Sequence, residues 1–355
     1  MSTRREFLKV GLGATAASLA CGGLNLSARQ APPEKVSFFF VSDTHYLAVK
    51  DSPTEFAPES ADVTGRLIDT LNRLPGEQIP ESAGGGEVLT PLGVIHGGDL
   101  VDSADKQGAV FQKMQQTEWQ AFVADYGLTG ADGRLKYPVY EVHGNHDGPQ
   151  GVGFVVDGIR ERNKRRQGVT AISDNGLHYA WKWGPAHFIN LGIVVGRTSD
   201  QPRKRRYDPH NSLEFLRDYL HTEVGASNRP VVLTHHVDVA RYAKPCDASL
   251  PYSNQEWDPC DVAAYYETIS KYNIAAAFYG HTHVRQVHTW DGASVQAKEG
   301  ISLFNADNAG HFHSDTQAIF YVELADQELV VREYLTKDRW KTGQWSAVWR
   351  KALVS

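Results

Sequence analysis

Six short apolar runs punctuate this chain, and five of them lead into a tight polar cluster. The runs are Val36 to Val41, Gly93 to Ile95, Val139 to Val142, His187 to Leu191, Val231 to Leu233 and Ala275 to Tyr279. Short β-rich or small-apolar runs of this kind suit strands buried on both faces. Helical periodicity lies between them. Val63 to Leu74 sets Val63, Leu67, Ile68 and Leu71 on one side, and Val110 to Tyr126, Ser212 to Val224 and Asp261 to Tyr272 behave alike. Strand–helix alternation predicts an α/β layered fold. The last third changes character. Gln286 to Trp290, Ser294 to Ala297, Ile301 to Asn305, Ala318 to Leu324 and Glu328 to Tyr334 read as consecutive strands, with Asp326-Gln327 as a hairpin turn. The expected architecture is two packed mixed β-sheets flanked by helices.

Composition removes several function classes. The 355 residues, 41% of them hydrophobic, are enough to bury a core without staples. Lys plus Arg is 36 and Asp plus Glu is 42, so the chain is net −6 and duplex nucleic acid is not an expected partner. No apolar run reaches the ~20 residues of a membrane helix, so no transmembrane segment is expected. Fifteen histidines in an acidic chain point toward metal chemistry.

The first residues read as an address. Thr3-Arg4-Arg5-Glu6-Phe7-Leu8-Lys9 precedes an uncharged, Gly-, Ala- and Leu-rich stretch from Val10 to Leu24. A basic start, a short apolar middle and a small-residue cleavage region make a signal peptide, assigned here to 1–28. The paired arginines resemble a twin-arginine export signal, which implies a twin-arginine translocation partner and a place in the periplasm or cell envelope, or secretion. Ser18-Leu19-Ala20-Cys21 is an imperfect lipoprotein box, which makes Cys21 a weak lipid-anchor candidate. Cys246 and Cys260 lie in one loop; in an oxidising compartment they pair, and otherwise they are two separate thiols.

The five polar clusters are Asp43-Thr44-His45, Gly98-Asp99-Leu100-Val101-Asp102, Gly144-Asn145-His146-Asp147, His235-His236 and Gly280-His281-Thr282-His283. Ligand sites in open α/β sheets lie outside the carboxyl ends of strands. Asp-x-His and His-x-His aim two side chains at one point when the turn bends out of the pleat. Glycines before three of the clusters let the backbone turn sharply. Singly, each cluster is an ordinary polar turn. Together they carry seven N and O donors and no thiolate, a set that suits Zn, Mn, Fe or Co. Seven donors are too many for one tetrahedral ion and suit two ions sharing a carboxylate.

In this order the blocks resemble the motif series of the calcineurin-like metallophosphoesterases, from Asp43 to His283. The resemblance implies that family's four-layer sandwich, with a catalytic domain over 29–335 and a Trp-rich extension, 336–355, packed on it. It implies hydrolysis of phosphate mono- or diesters by two divalent or trivalent ions, with a metal-bridging hydroxide attacking phosphorus in line. Asp43, His45, Asp99 and His283 would hold one ion. Asp99, Asn145, His235 and His281 would hold the other, His235 being preferred to His236 because it comes first after the strand. His146 would protonate the leaving oxygen or stabilise its charge, and Asp102 resembles the residue that orients this histidine. Purple acid phosphatases carry a metal-binding tyrosine where this chain has Asp102, so a tyrosinate-coloured ferric site is not expected. The competing readings are a nuclease of the same superfamily and a non-catalytic envelope protein that binds metal or phosphate.

Substrate choice is expected from elsewhere. Two basic runs, Arg160 to Arg166 and Arg203 to Arg206, are either polyanion-gathering patches or solvated faces. The aromatic loop from Asp238 to Asp258 follows the His-His pair and is expected to lie over the site. Its Arg241 and Tyr242, together with His236 just before it, are candidate substrate contacts, and His311 and His313 are further cleft candidates.

Overall fold

The computed structural model describes residues 35–197, 204–249 and 255–353. The chain divides into two units, Met1–Ala31 and Pro32–Ser355, and only the second is described below. The signal segment assigned to 1–28, with Cys21, lies outside the described residues.

In chain order the strands are β1 (Lys35–Val41), β2 (Ala48–Val49), β3 (Ser52–Phe56), β4 (Val94–His96), β5 (Val139–Glu141), β6 (Val169–Ile172), β7 (Tyr179–Trp183), β8 (Ala186–Asn190), β9 (Val231–Thr234), β10 (Ile274–Tyr279), β11 (Gln286–Trp290), β12 (Ile301–Asn305), β13 (Gln317–Ala325), β14 (Glu328–Thr336) and β15 (Gln344–Ala352). The helices are α1 (Pro58–Arg73), α2 (Ala109–Asp125), α3 (Phe154–Arg165), α4 (Ser212–Tyr219) and α5 (Pro259–Ile269). One sheet runs β15-β14-β13-β1-β4-β5 and the other β11-β12-β10-β9-β8-β7-β6; β2 and β3 form a small separate ribbon. The fold is α/β, two mixed sheets with helices outside them.

β1 shows why these runs become central strands. Phe38 and Phe40 face Phe188, Phe278 and Phe320 of the inter-sheet core. Phe39 and Val41 face the other way, onto Leu67 of α1 and Phe122 of α2. A strand apolar on both faces belongs between two layers. α4 and α5 cover the outside of the second sheet, where Leu216 and Tyr265 meet Leu233 and Ala277. β1, β4 and β5 are mutually parallel, as are β8, β9, β10 and β12. The carboxyl ends of β1, β4, β5, β9 and β10 all open onto the site described below.

Several expectations shift here. Ser294 to Ala297 is not a strand; only an isolated bridge joins Thr289 and Gln296. The extension expected to pack on the domain contributes a strand to it: β15 pairs along β14 as the edge strand, with Trp345 against Tyr334 and Trp349 against Phe320. Cys246 and Cys260 form a disulfide with Cα atoms 4.4 Å apart. Closing a loop of that length is worth about 3 kcal/mol.

The basic run from Arg160 is in part spent inside the fold. It spans the end of α3 and its C-cap residue Arg166, and Arg162 and Arg166 are buried and clamp Glu141 at the end of β5, at 2.6 and 2.8 Å. Arg160 is spent on Asn175 and Gly151 carbonyls. Burial alone would raise the Glu141 carboxyl, but the two guanidiniums hold it down to about 2. Its folded value lies below the unfolded value of about 4.3. The triad therefore stabilises fully above about pH 5, and that contribution fades as pH falls toward 2. Glu141→Gln is expected to cost about 3–5 kcal/mol at pH 7, since it leaves two buried cations unmatched. Denaturant unfolding of both proteins should show the gap narrowing between pH 5 and 2; a gap constant over that window would contradict this account.

Candidate metal centre

Five strand-end turns converge. Asp43 and His45 follow β1, Asp99 follows β4, Asn145 and His146 follow β5, His236 follows β9, and His281 and His283 follow β10. The turns are stitched by backbone hydrogen bonds: the N–H groups of Asp43, His45 and Tyr46 donate to the carbonyls of Gly98, Asp99 and Leu100 at 3.0–3.1 Å. Asp147 locks the next pair. Its fully buried carboxylate accepts N–H bonds from Leu100 (2.9 Å), Val101 (3.0 Å) and Gly144 (2.7 Å).

The sharp bends fall on the functional residues themselves. Ten non-glycine residues have positive φ among those described, and five of them are Asp43, His45, Asp99, His281 and His283. Such backbone is strained for L-residues and persists only where surrounding contacts enforce it. The preceding glycines serve mainly close approach: of Gly98, Gly144 and Gly280 only Gly98 has positive φ. A Cβ on Gly280 would stand 2.1 Å from Asp43 Oδ2, and one on Gly144 would stand 2.2 Å from Asp99 Oδ1.

Two donor groups meet at Asp99. On one side His45 Nε2 lies 3.1 Å from His283 Nε2, 3.9 Å from Asp43 Oδ1 and 3.8 Å from Asp99 Oδ2, and His283 Nε2 lies 3.3 Å from Asp43 Oδ1. On the other, His236 Nε2 lies 3.1 Å from Asp99 Oδ2 and 3.2 Å from Asn145 Oδ1. Asp99, His236 and His281 offer ligand atoms within 4.8 Å of one another, as do His45, His283 and His311. Burial alone would raise the Asp43 and Asp99 carboxyls, yet His283 beside Asp43 and His236 beside Asp99 hold both well below the usual range. His236 answers by rising to about 9: burial opposes its charge, but Asp99 and Asp43 outweigh burial. Two buried ionised carboxylates ringed by imidazole nitrogens and an amide oxygen, with no thiolate, fit hard-to-borderline cations.

The expectation for the His-His pair is overturned. Consecutive residues at a strand end point to opposite faces. His235 points into the core, its ring parallel to Tyr279 and edge-on to Trp257, with Nδ1 on the Val237 carbonyl at 2.9 Å. Burial pushes it down to about 3, a neutral core histidine. His236 is the one beside Asp99.

Asp102 meets His146 through its backbone and His45 through its side chain. Its carboxylate lies 3.3 Å from His45 Nδ1 and 2.7 Å from Lys106 Nζ; only its backbone carbonyl meets His146 Nδ1, at 3.1 Å. Burial would lower His146, but the charge of Asp99 and the Asp102 carbonyl outweigh it and the ring is held above its ordinary value. Arg241 and Tyr242 both engage Glu256, a loop carboxylate that sequence reasoning passed over. Arg206, from the second basic run, lies 3.6 Å from the same carboxylate. His311 reaches the cluster, with its ring 4.8 Å from His45, because Ala309 and Gly310 donate to the Ser42 and Asp43 carbonyls. His313 stands behind it, 5.5 Å from the His311 ring, and is exposed.

A family model described as calcineurin-like phosphoesterase matches residues 36–285. Among curated proteins there is no match to this chain. Among solved structures, a purple acid phosphatase from yellow lupin (Lupinus luteus) seeds superposes with TM-score 0.53 at 13% identity, covering 91% of this chain and 54% of its own. This chain thus spans about half the length of the lupin protein. A dimetal phosphatase from Danio rerio gives TM-score 0.51 at 13% identity, covering 90% of this chain and 99% of its own. Likeness at that identity speaks for the fold alone.

Asp147→Ala would strip the acceptor from three buried N–H groups at about 1–3 kcal/mol each. A loss of at least about 3 kcal/mol is expected in denaturant unfolding of the metal-free chain, with Asp147→Asn intermediate. A loss below about 1 kcal/mol would remove Asp147 from this role.

Proposed function

Because the chain belongs to the calcineurin-like phosphoesterase family, we propose that it is an exported hydrolase of phosphate mono- or diesters that works with two metal ions held at this cluster. One observation carries the reading: a single buried carboxylate, Asp99, stands between two sets of donors. Asp43, His45, Asp99 and His283 would hold one ion, and Asp99, Asn145, His236 and His281 the other. Ions there supply Lewis acidity, neutralising phosphoryl oxygens and making water nucleophilic at neutral pH.

The chain's own residues do the rest. Asp99 Oδ1 accepts the His146 N–H at 2.8 Å, which fixes the turn carrying the His146 ring. With Nδ1–H given to the Asp102 carbonyl, Nε2 is the nitrogen left for the ester. His146 then protonates the leaving oxygen or stabilises its developing charge. Asp102 orients His45 by its carboxylate and His146 by its carbonyl. The donors and His146 together favour a working hydrolase over a passive metal binder. With Arg162 and Arg166 buried, little supports a nuclease.

Metal analysis joined to turnover of p-nitrophenyl phosphate and bis-p-nitrophenyl phosphate, with Mn or Zn added, tests the reading. Asp99→Asn is expected to lose both ions and all turnover. His236→Ala should keep a single ion, whereas His235→Ala should keep both and lose only stability. Two ions still bound to Asp99→Asn would count against a shared carboxylate.

Export rests on the Thr3 to Lys9 segment and is supported by the Cys246–Cys260 disulfide, since such bonds persist in oxidising compartments. Replacing Arg4 and Arg5 together by lysine should leave active protein in the cytoplasm. Unimpaired export of that double variant would refute the twin-arginine route.

A further inference from the structure

Two imidazoles of the cluster, His236 and His281, are hydrogen-bonded from behind through their second nitrogen, and a third, His45, has a carboxylate close to its own. His236 Nδ1 lies 2.8 Å from the Gly97 carbonyl, and His45 Nδ1 lies 3.3 Å from Asp102 Oδ1. His281 Nε2 lies 3.0 Å from Glu256 Oε1. The first two partners come from the turn after β4, which also carries Asp99. The third comes from the long loop over 238–258, outside the five polar clusters.

We propose that Glu256 is a positioning residue for the half of the centre formed by Asp99, Asn145, His236 and His281: it takes the Nε2–H of His281 and leaves Nδ1 as the donor nitrogen. The inference rests on the two-ion reading above and deepens it, because it puts the hold on one ion under the control of a loop that bears none of the other ligands. A carboxylate behind a ligating histidine fixes the tautomer and raises the basicity of the ligand nitrogen.

The carboxylate is built to stay in place. Trp257, next in the chain, is fully buried and donates Nε1–H to the Val195 carbonyl at 3.1 Å. Asp258 caps α5, accepting the Cys260 N–H at 2.9 Å, and Cys260 is bonded to Cys246. Glu256 is thus tethered through its two C-terminal neighbours. Its second oxygen, Oε2, accepts the Tyr242 hydroxyl proton. Glu256 is not simply a counter-ion for the nearby cations. Arg241 and Arg206 stand 3.5 and 3.6 Å away, beyond good hydrogen-bond range, on partly exposed side chains. Exposed pairs of that kind are worth about 0–1 kcal/mol. Tyr242 therefore serves Glu256 through its hydroxyl, whereas the nearer carboxylate of Arg241 is Asp238, at 3.2 Å.

The test uses cobalt(II) alone as the probe. The metal-free chain is titrated while the d–d bands and the ions retained per chain are followed. Glu256→Ala is expected to weaken one of the two cobalt ions about 10–100-fold, the usual effect of losing such a partner. The other ion should stay within about twofold, and Glu256→Gln should fall between, since the amide still accepts a hydrogen bond. Equal weakening of both ions, or of neither, in Glu256→Gln with an unchanged metal-free Tm overturns the proposal alone. A wild-type chain that does not take up two cobalt ions overturns the two-ion reading, and this proposal with it.

Discussion

Two ionised carboxylates, Asp43 and Asp99, are buried side by side at the meeting of two sheets. Like charges without water repel, and each loses its hydration on burial. The arrangement survives only where positive charge or strong donors surround it. His283 answers Asp43, and His236 answers Asp99. Backbone N–H groups help: His281 donates to Asp43 at 3.0 Å and His146 to Asp99 at 2.8 Å. A site that draws a proton onto a buried imidazole is one where a cation can take that proton's place.

The local backbone follows from this demand. For two sheets to aim side chains at one point, the chain must leave each strand end abruptly. Five of the aiming residues accept left-handed backbone to do so. Gly144 and Gly280 let the neighbouring turns come within contact of Asp99 and Asp43. The cost of the strain is offset by the apolar layers beneath, where β1 is buried on both faces. The rigid core and the strained rim are two halves of one construction.

Much of this was legible in the sequence because it is local. The run Val36 to Val41 with Asp43-x-His45 behind it announces strand and site together, and the same holds at Asp99, Asn145 and His281. What was not legible depends on direction. His235 and His236 are chemically identical, and only the strand's exit angle decides which faces Asp99 and which packs on Tyr279. α3 was hidden because its polar, basic sequence reads as a solvated run until Glu141 is seen between Arg162 and Arg166. β15 was hidden likewise: its tryptophans signal burial but not pairing, and its partner β14 sets the register. Glu256 left no mark of its own. The helix-start signal Asp258-Pro259 fixes its place in the chain, but nothing local says that it meets His281.

That last contrast separates two kinds of constraint on the centre. The donors at the ends of β1, β4, β5, β9 and β10 are held by the sheets, so their mutual placement follows from strand register. Glu256 is held by a loop, and the loop is held by three unrelated devices: a buried indole, a helix cap and a disulfide. Under the proposed role of Glu256, a change that frees Trp257 or opens Cys246–Cys260 would act on His281 without touching a strand. The half of the centre nearest His45 lacks such a handle, because Asp102 sits on the turn that Asp147 pins through Leu100 and Val101. In the proposed two-ion arrangement both halves share Asp99 and are held by strand ends, and among the described residues only His281 has a second partner supplied by the loop.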